Sequence, residues 1–278
     1  MEKLYSLEKI IKSNALIEAC HKLSVQEQKV LLLAISKIPK DASPTDDALY
    51  SISAQDLAQL NGQELKNCYT ELKTSAMSLL DRKVHIKDLP NGDGKRNKEL
   101  VTCWVQSMFY VDDEGKLELR FSKDILPYVC QLKQQFTIYK IKNIGMMSSS
   151  YGIRLYEVLV QYKSIGTREI SLTWLKENFK ISTKYSAIKD LKKWVIEPAL
   201  HDINTKSDMW VEWDQKKTGR RVTHFIFTFG LKNEDKPKKR KNKPTKSDLK
   251  DPKFLSKHGR VGEKEPDVIR RLKEQFNI

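Results

Sequence analysis

Apolar residues recur along this chain with two periods, helical and extended, and the two periods alternate in the same order twice. After Ser24 and Glu27, spaced as a capping box, Val30, Leu33 and Ile38 mark a helix over 25–38. A polar stretch containing Pro39, Pro44, Asp46 and Asp47 leads to the extended Tyr50-Ser51-Ile52. Ser53, with Asp56 three positions on, caps a short helix through Leu60, and Asn61-Gly62 is a turn signal. Leu65, Tyr69, Leu72, Ala76 and Leu79 form one stripe of a helix over 63–80. A strand over 83–87 follows, then a loop over 89–98, a strand over 100–111 and a further extended piece over 117–121.

The second half repeats the order. Ile153, Tyr156, Leu159 and Val160 give an amphipathic helix over 148–162, and Ile170-Ser171-Leu172 is extended before a helix over 173–179. A longer helix is predicted over 183–204, with Ile188, Leu191, Val195, Ala199 and Ile203 on one face and a kink or restart at Pro198. Strands over 210–214 and 222–229 flank a turn over 216–220 (KKTGR), where Gly219 suits a positive φ. In the last strand Phe225, Phe227 and Phe229 alternate with Ile226 and Thr228, a period of two.

Three helices followed by a hairpin describe a winged helix, a helix-turn-helix variant. The predicted fold class is therefore α+β and helix-rich, with two tandem winged-helix domains, 1–131 and 132–230, and a basic, largely flexible tail over 231–278. A pair of small α+β domains without a nucleic-acid role has the same pattern, so charge must separate the two readings.

Composition excludes several classes first. The chain has 278 residues, 39% hydrophobic, with no run approaching the ~18 uncharged apolar residues of a membrane-spanning helix. Its start, MEKLYSLEKIIK, has acidic residues and no small-residue cleavage site, unlike a secretory leader. Cys20, Cys68, Cys103 and Cys130 never form C-x-x-C, as expected of free thiols in a reducing cytoplasm.

The net charge of +15 points to a polyanionic partner. Residues 1–131 hold 18 Lys/Arg against 19 Asp/Glu, a net of −1. Residues 132–230 hold 17 against 9, and residues 231–278 hold 16 against 8, so each of these segments carries +8. The run over 236–246 (KPKKRKNKPTK) has no apolar period and reads as an adhesive, sequence-indifferent segment.

The charge over 132–230 sits on periodic elements. At 100° per residue, Ser182, Ser186, Lys189 and Lys193 fall within about 60° of one another, opposite the apolar stripe. Lys184 and Lys192 flank that stripe, and the adjoining hairpin tip carries Lys216, Lys217, Arg220 and Arg221. A Ser/Lys face beside a basic wing suits a major groove and its flanking phosphates, and is taken as the main DNA reader. In the first half Lys66, Thr70, Lys73, Thr74 and Met77 lie off the apolar stripe, and Lys95, Arg96 and Lys98 sit in the hairpin loop. With a net charge near zero, that half could contact DNA lightly, bind a protein, or do both.

No catalytic or metal motif stands out. G-x-x-x-x-G-K-[ST] is absent, and His21, His85, His201, His224 and His258 form neither H-x-H nor H-x-x-H. No cofactor and no metal are expected, and no enzymatic activity, which disfavours a nicking initiator.

The stretch FTIYKIKNIGMMSSSYGIRLYEVLVQY over 136–162, with its S-x-Y-x-x-R-L-Y-E core from Ser149 to Glu157, resembles the replication initiators of iteron plasmids, the Rep proteins. The runs over 185–204, 218–229 and 14–38 agree, so the resemblance spans about 14–230. It implies two winged helices that bind tandem origin repeats as a monomer, help melt adjacent DNA, and recruit the host initiator and replicative helicase. It also implies a bacterial cytoplasmic location, with dimerisation through the first domain and repression of the protein's own gene. By position, the resemblance gives the main base contacts to 184–193, phosphate contacts to 216–221 and lighter contacts to 66–73 and 95–98. A strong guanine-reading pattern is absent, because the recognition helix has lysines and serines but no arginine. A winged-helix repressor without initiator activity is the alternative.

Overall fold

A computed structural model describes residues 9–39, 43, 45–92, 95–111, 114–233, 248–252, 254–255 and 263–276. The chain divides into two compact units, Met1–Asn233 and Glu234–Ile278.

The first unit begins with strand β1 (Lys9–Ser13), a short turn of helix α1 (Asn14–Ile17) and strand β2 (Cys20–His21). Helix α2 (Val25–Ser36) starts at the expected capping box: the Ser24 side chain accepts from the Glu27 backbone N–H, and the Glu27 carboxylate accepts from the Ser24 N–H. Strand β3 (Tyr50–Ser53) precedes helix α3 (Ala54–Asn61), where Ser53 and Asp56 form a second capping box. Gly62, at φ 62°, ends α3 in the left-handed conformation that glycine adopts without a Cβ penalty. Helix α4 (Leu65–Leu80) is the third helix of this winged helix and buries Cys68, Leu72, Ala76 and Leu79.

The strands after α4 differ from the expected single hairpin. Strands β4 (Lys83–Asp88) and β5 (Lys95–Cys103) pair with each other, and β2 adds to the β4 edge. The segment expected as one strand over 100–111 breaks at Trp104, whose side chain is fully buried, so that β6 (Val105–Val111) enters a different sheet. There β6 pairs with β7 (Lys116–Phe121), and β7 pairs in turn with β3. Burial of one large indole thus turns the chain from one sheet to another.

Strand β8 (Phe136–Lys140) lies antiparallel to β1, Ile11 opposite Ile138. A short helix α5 (Lys142–Gly145) leads to helix α6 (Ser150–Val160), whose residues from Gly152 to Val160 are all buried. The second winged helix continues with β9 (Thr167–Ser171), α7 (Leu172–Asn178), a composite third helix, and the hairpin β10 (Met209–Thr218) and β11 (Arg221–Leu231). β9 completes a three-stranded sheet in the order β10-β11-β9.

The third helix corrects the sequence expectation. It begins at Ile188, not at 183; residues 182–187 are turns and irregular chain, with Tyr185 at φ 52°. A tyrosine in the left-handed region cannot continue a helix. From there run α8 (Ile188–Leu191), a π-helical segment Lys192–Ile196, and α9 (Glu197–Lys206). Pro198 does act, but by local widening: it has no N–H to donate back along the helix, and just before it the Glu197 N–H reaches the Lys192 carbonyl five residues earlier.

α6 is the joint between the two winged helices. Arg154, only 4% exposed, donates through Nη1 to the Ile17 carbonyl (3.0 Å) and to His21 Nε2 (2.6 Å). Through Nη2 it donates to the Ala19 carbonyl (2.8 Å) and to Asn178 Oδ1 (2.6 Å) on α7. Burial, reinforced by the Arg154 charge, holds the His21 imidazole well below its usual range, so the neutral ring accepts a hydrogen bond from the arginine. One turn on, Glu157 Oε1 accepts from Lys12 Nζ (2.8 Å) on β1 and from the Tyr139 hydroxyl (2.6 Å) on β8. Asp202 on α9 accepts from the Ser148 and Ser149 backbone N–H groups at 2.7 and 2.5 Å, fixing the start of α6. The arginine and glutamate of the S-x-Y-x-x-R-L-Y-E motif are therefore structural clasps.

The second unit was expected to be largely without structure, yet it contains helix α10 (Glu265–Phe276). Val268 and Leu272 of that helix are buried with Leu249 and Leu255 in a small apolar cluster. The basic run over 236–246 lies outside the described residues.

Candidate nucleic-acid interface

The second winged helix presents cations on two adjoining elements. Lys189 and Lys193 stand exposed on the outer face of α8 and the π segment, while Leu191, Val195 and Ile196 are buried beneath them. Lys184 and Ser186 are also exposed, but in the loop ahead of the helix, so they approach from its N-terminal side rather than along its face. At the wing, β10 and β11 run to the tip with Thr218 opposite Arg221, leaving only Gly219 and Arg220 in the turn. Gly219, at φ 60°, has nothing within 4 Å of an added Cβ, so backbone conformation and not crowding selects glycine there. Lys217, Arg220 and Arg221 are exposed at this tip.

Two of the expected cations are already engaged within the fold. Lys192 is half-buried; its Nζ donates to Gln215 Oε1 (2.7 Å) and lies 5.1 Å from the centre of the Trp213 ring, both on β10. Trp213 in turn packs edge-to-face on Phe225 of β11 at 5.2 Å. Lys192 thus straps the third helix to the wing. Lys216 Nζ pairs with Glu169 Oε1 (2.8 Å) on β9, and its hydrogen bond holds the Glu169 carboxyl below the usual range. His224, half-buried beside Glu169 at 3.8 Å, contributes to the same cluster.

The first winged helix presents two lysines on its third helix. Lys66 and Lys73 are exposed on α4, and Lys73 Nζ lies 4.6 Å from the Tyr110 ring centre. The same helix exposes Leu65, Tyr69 and Met77, so its outer face is mixed apolar and basic. Lys95 and Arg96, expected in the hairpin loop, stand at the start of strand β5, with Asp88 opposite Lys95; their side chains lie outside the described residues.

Charge patterning overlooked one residue here. Trp194, next to Lys193, is 55% exposed on the outer face of the π segment. The only sequence signal for it is an indole off the apolar stripe of an otherwise lysine-rich helix.

Among the described residues no group of three or more metal-ligating side chains comes together, and no helix is long and apolar enough to cross a membrane.

Two winged helices joined through a buried polar clasp, the second with an exposed cationic helix and wing, define the class. Residues 9–160 match the family described as Initiator Replication protein, WH1, and residues 171–229 match Initiator Rep protein, WH2. The chain belongs to this replication-initiator family. It is 30% identical over 229 residues to a replication initiation protein of Escherichia coli, covering 80% of this chain and 69% of that one. The PI protein of Escherichia coli is 25% identical over 250 residues, covering 80% of this chain and 82% of its own. The fold is shared with the solved Pi initiator protein in complex with iteron DNA, at a TM-score of 0.70 and 23% identity over 82% of this chain and 98% of that one.

Proposed function

We propose that this chain initiates plasmid replication by binding directly repeated DNA at the origin, without catalysing a reaction. The second winged helix, within 132–230, is the main reader, and the first, within 1–131, supplies dimerisation and auxiliary contact. One observation carries this reading. In a replication-initiator fold, the exposed cations Lys189, Lys193, Lys217, Arg220 and Arg221 stand on one helix face and its neighbouring wing. That is the disposition which lets a helix enter the major groove while a hairpin holds phosphates.

Base contacts then fall to Lys189, Lys193 and the preceding Lys184 and Ser186. Phosphate contacts fall to Lys217, Arg220 and Arg221. Lys66 and Lys73, with Lys95 and Arg96, give the weaker contact in the neighbouring groove. Origin melting, recruitment of the host initiator and helicase, and repression of the chain's own gene as a dimer belong to the same reading, as does work in the bacterial cytoplasm.

The test is incubation with Mg²⁺ and a supercoiled plasmid carrying the origin next to the gene. The reading expects protection of directly repeated sites and no protein–DNA covalent adduct. An adduct, or nicked product, would overturn the non-enzymatic assignment; a lone protected inverted repeat would reduce the function to repression.

A further inference from the structure

We infer that Trp194 is a specificity-determining residue that receives thymine C5-methyl groups in the major groove. This rests on the DNA-reading assignment of the second winged helix and goes beyond it, because that assignment is built on cations alone. Three features place Trp194 in this role. It lies at the seventh residue of the third helix, within the two turns that a recognition helix inserts deepest. It is 55% exposed, whereas Trp104 and Trp210, elsewhere in the same unit, are buried and Trp213 is half-buried against the wing. It is also held in place: Lys193 Nζ stands 4.8 Å from the centre of its ring.

Val195 and Ile196, consecutive residues of the π segment, both point into the core, and consecutive Lys193 and Trp194 both lie outside. An indole in water forfeits a large apolar area that a partner could cover. The one alkyl group in a DNA major groove is the thymine methyl; cytosine carries only a C5–H in its place, and the polar base-edge groups there are donors or acceptors. The Lys193 ammonium, resting on the ring face, keeps N–H donors for purine N7 or O6 on the neighbouring base pair. A ring and a donor at that spacing read a thymine beside a purine, which supplies the discrimination that a helix without arginine otherwise lacks.

The experiment starts with duplexes enriched by the wild-type protein from a randomised pool of about 30 base pairs. Each thymine in the enriched core is then replaced by uracil, which removes only the methyl group. For the wild-type protein, one or two positions are expected to weaken binding about four-fold, the fold-change of one buried methyl-sized group. For Trp194→Ala the same replacements should change binding by less than about 1.5-fold, on a parent affinity lowered about ten-fold. Trp194→Phe, which retains an aromatic face, should keep most of the uracil sensitivity. Trp194 is surface-placed, so thermal unfolding of each variant should match the wild type. Equal uracil sensitivity in wild type and Trp194→Ala, or none in either, overturns the inference while leaving the DNA-reading assignment intact. Failure of the wild type to enrich any duplex overturns that assignment, and the inference with it.

Discussion

Helix α4 and the composite helix over 188–206 occupy the same place in two copies of one fold, and they are built differently. α4 runs unbroken for 16 residues and exposes Leu65, Tyr69 and Met77 among two lysines. Its counterpart follows an irregular loop, widens into a π segment, and exposes Lys189, Lys193 and Trp194. The surrounding charge differs in the same sense, −1 over residues 1–131 against +8 over 132–230. On the proposed reading, the outward residues and not the fold alone set what each helix meets, and they can change without disturbing the apolar faces that hold each helix to its core.

The comparison presumes that the two winged helices are held by the α6 clasp, and the largest expected effect comes from breaking it. Arg154→Met should destabilise the protein by about 3–5 kcal/mol, at about 1–3 kcal/mol per stranded acceptor, because it leaves the carbonyls of Ile17 and Ala19 and the side chain of Asn178 without their donor. Thermal and denaturant unfolding measure this; an unchanged midpoint would remove the clasp from the account. Next is the pair Lys189→Ala with Lys193→Ala, expected to cost about 1–3 kcal/mol on an enriched duplex and less on random DNA. Lys66→Ala with Lys73→Ala should cost less than half as much. Equal losses would erase the distinction between the two helices.

The wing sharpens the comparison through salt. Neutralising Lys217, Arg220 and Arg221 should lower the slope of log K against log salt by about 2–3 on every duplex, near 0.9 per phosphate lost. Lys192→Ala should weaken binding with little change in slope, since its ammonium is committed to Gln215 and Trp213. A slope reduced by about one would make Lys192 a phosphate contact instead.

The smallest effect is on stability against pH. Burial acts to raise the Asp202 carboxyl, but hydrogen bonds from Lys206, Ser149 and Ser148 outweigh it and hold it below the usual 3.8. A carboxyl lowered on folding contributes stability above its unfolded value, and that contribution is lost as pH falls through the folded value. Asp202→Asn should therefore cost about 1 kcal/mol near neutrality and flatten the acid limb below about pH 4. Unfolding midpoints measured across that range check it.

Much of this architecture was legible in the sequence because it is local. The capping boxes at Ser24 and Ser53, the left-handed Gly62 and the alternating phenylalanines of β11 each declare themselves within a few residues. What escaped was set by distant partners. β1 finds β8 across more than a hundred residues, and the turn at Trp104 depends on a core that the strand itself does not encode. Periodicity alone starts the third helix too early, because Lys184 and Ser186 fit it, whereas Tyr185 takes a positive φ that no pattern announces. Among the site residues, exposure was legible for Lys189, Lys193 and the wing tip. The engagement of Lys192 and Lys216 was not, since Gln215 and Glu169 reach them only through sheet packing. The motif from Ser149 to Glu157 carried the family resemblance while its arginine and glutamate turned inward, so its spacing reports the joint and not the DNA surface.

The most direct measurement of the central claim is hydroxyl-radical footprinting on the plasmid's own origin with three proteins at matched concentration. The wild type should protect a series of direct repeats. Lys66→Ala with Lys73→Ala should leave the same repeats protected, only weakened in one of the two grooves of each. Lys189→Ala with Lys193→Ala should lose the repeats altogether. The opposite pattern, repeats retained without Lys189 and Lys193 but lost without Lys66 and Lys73, would make the first winged helix the reader and contradict the account.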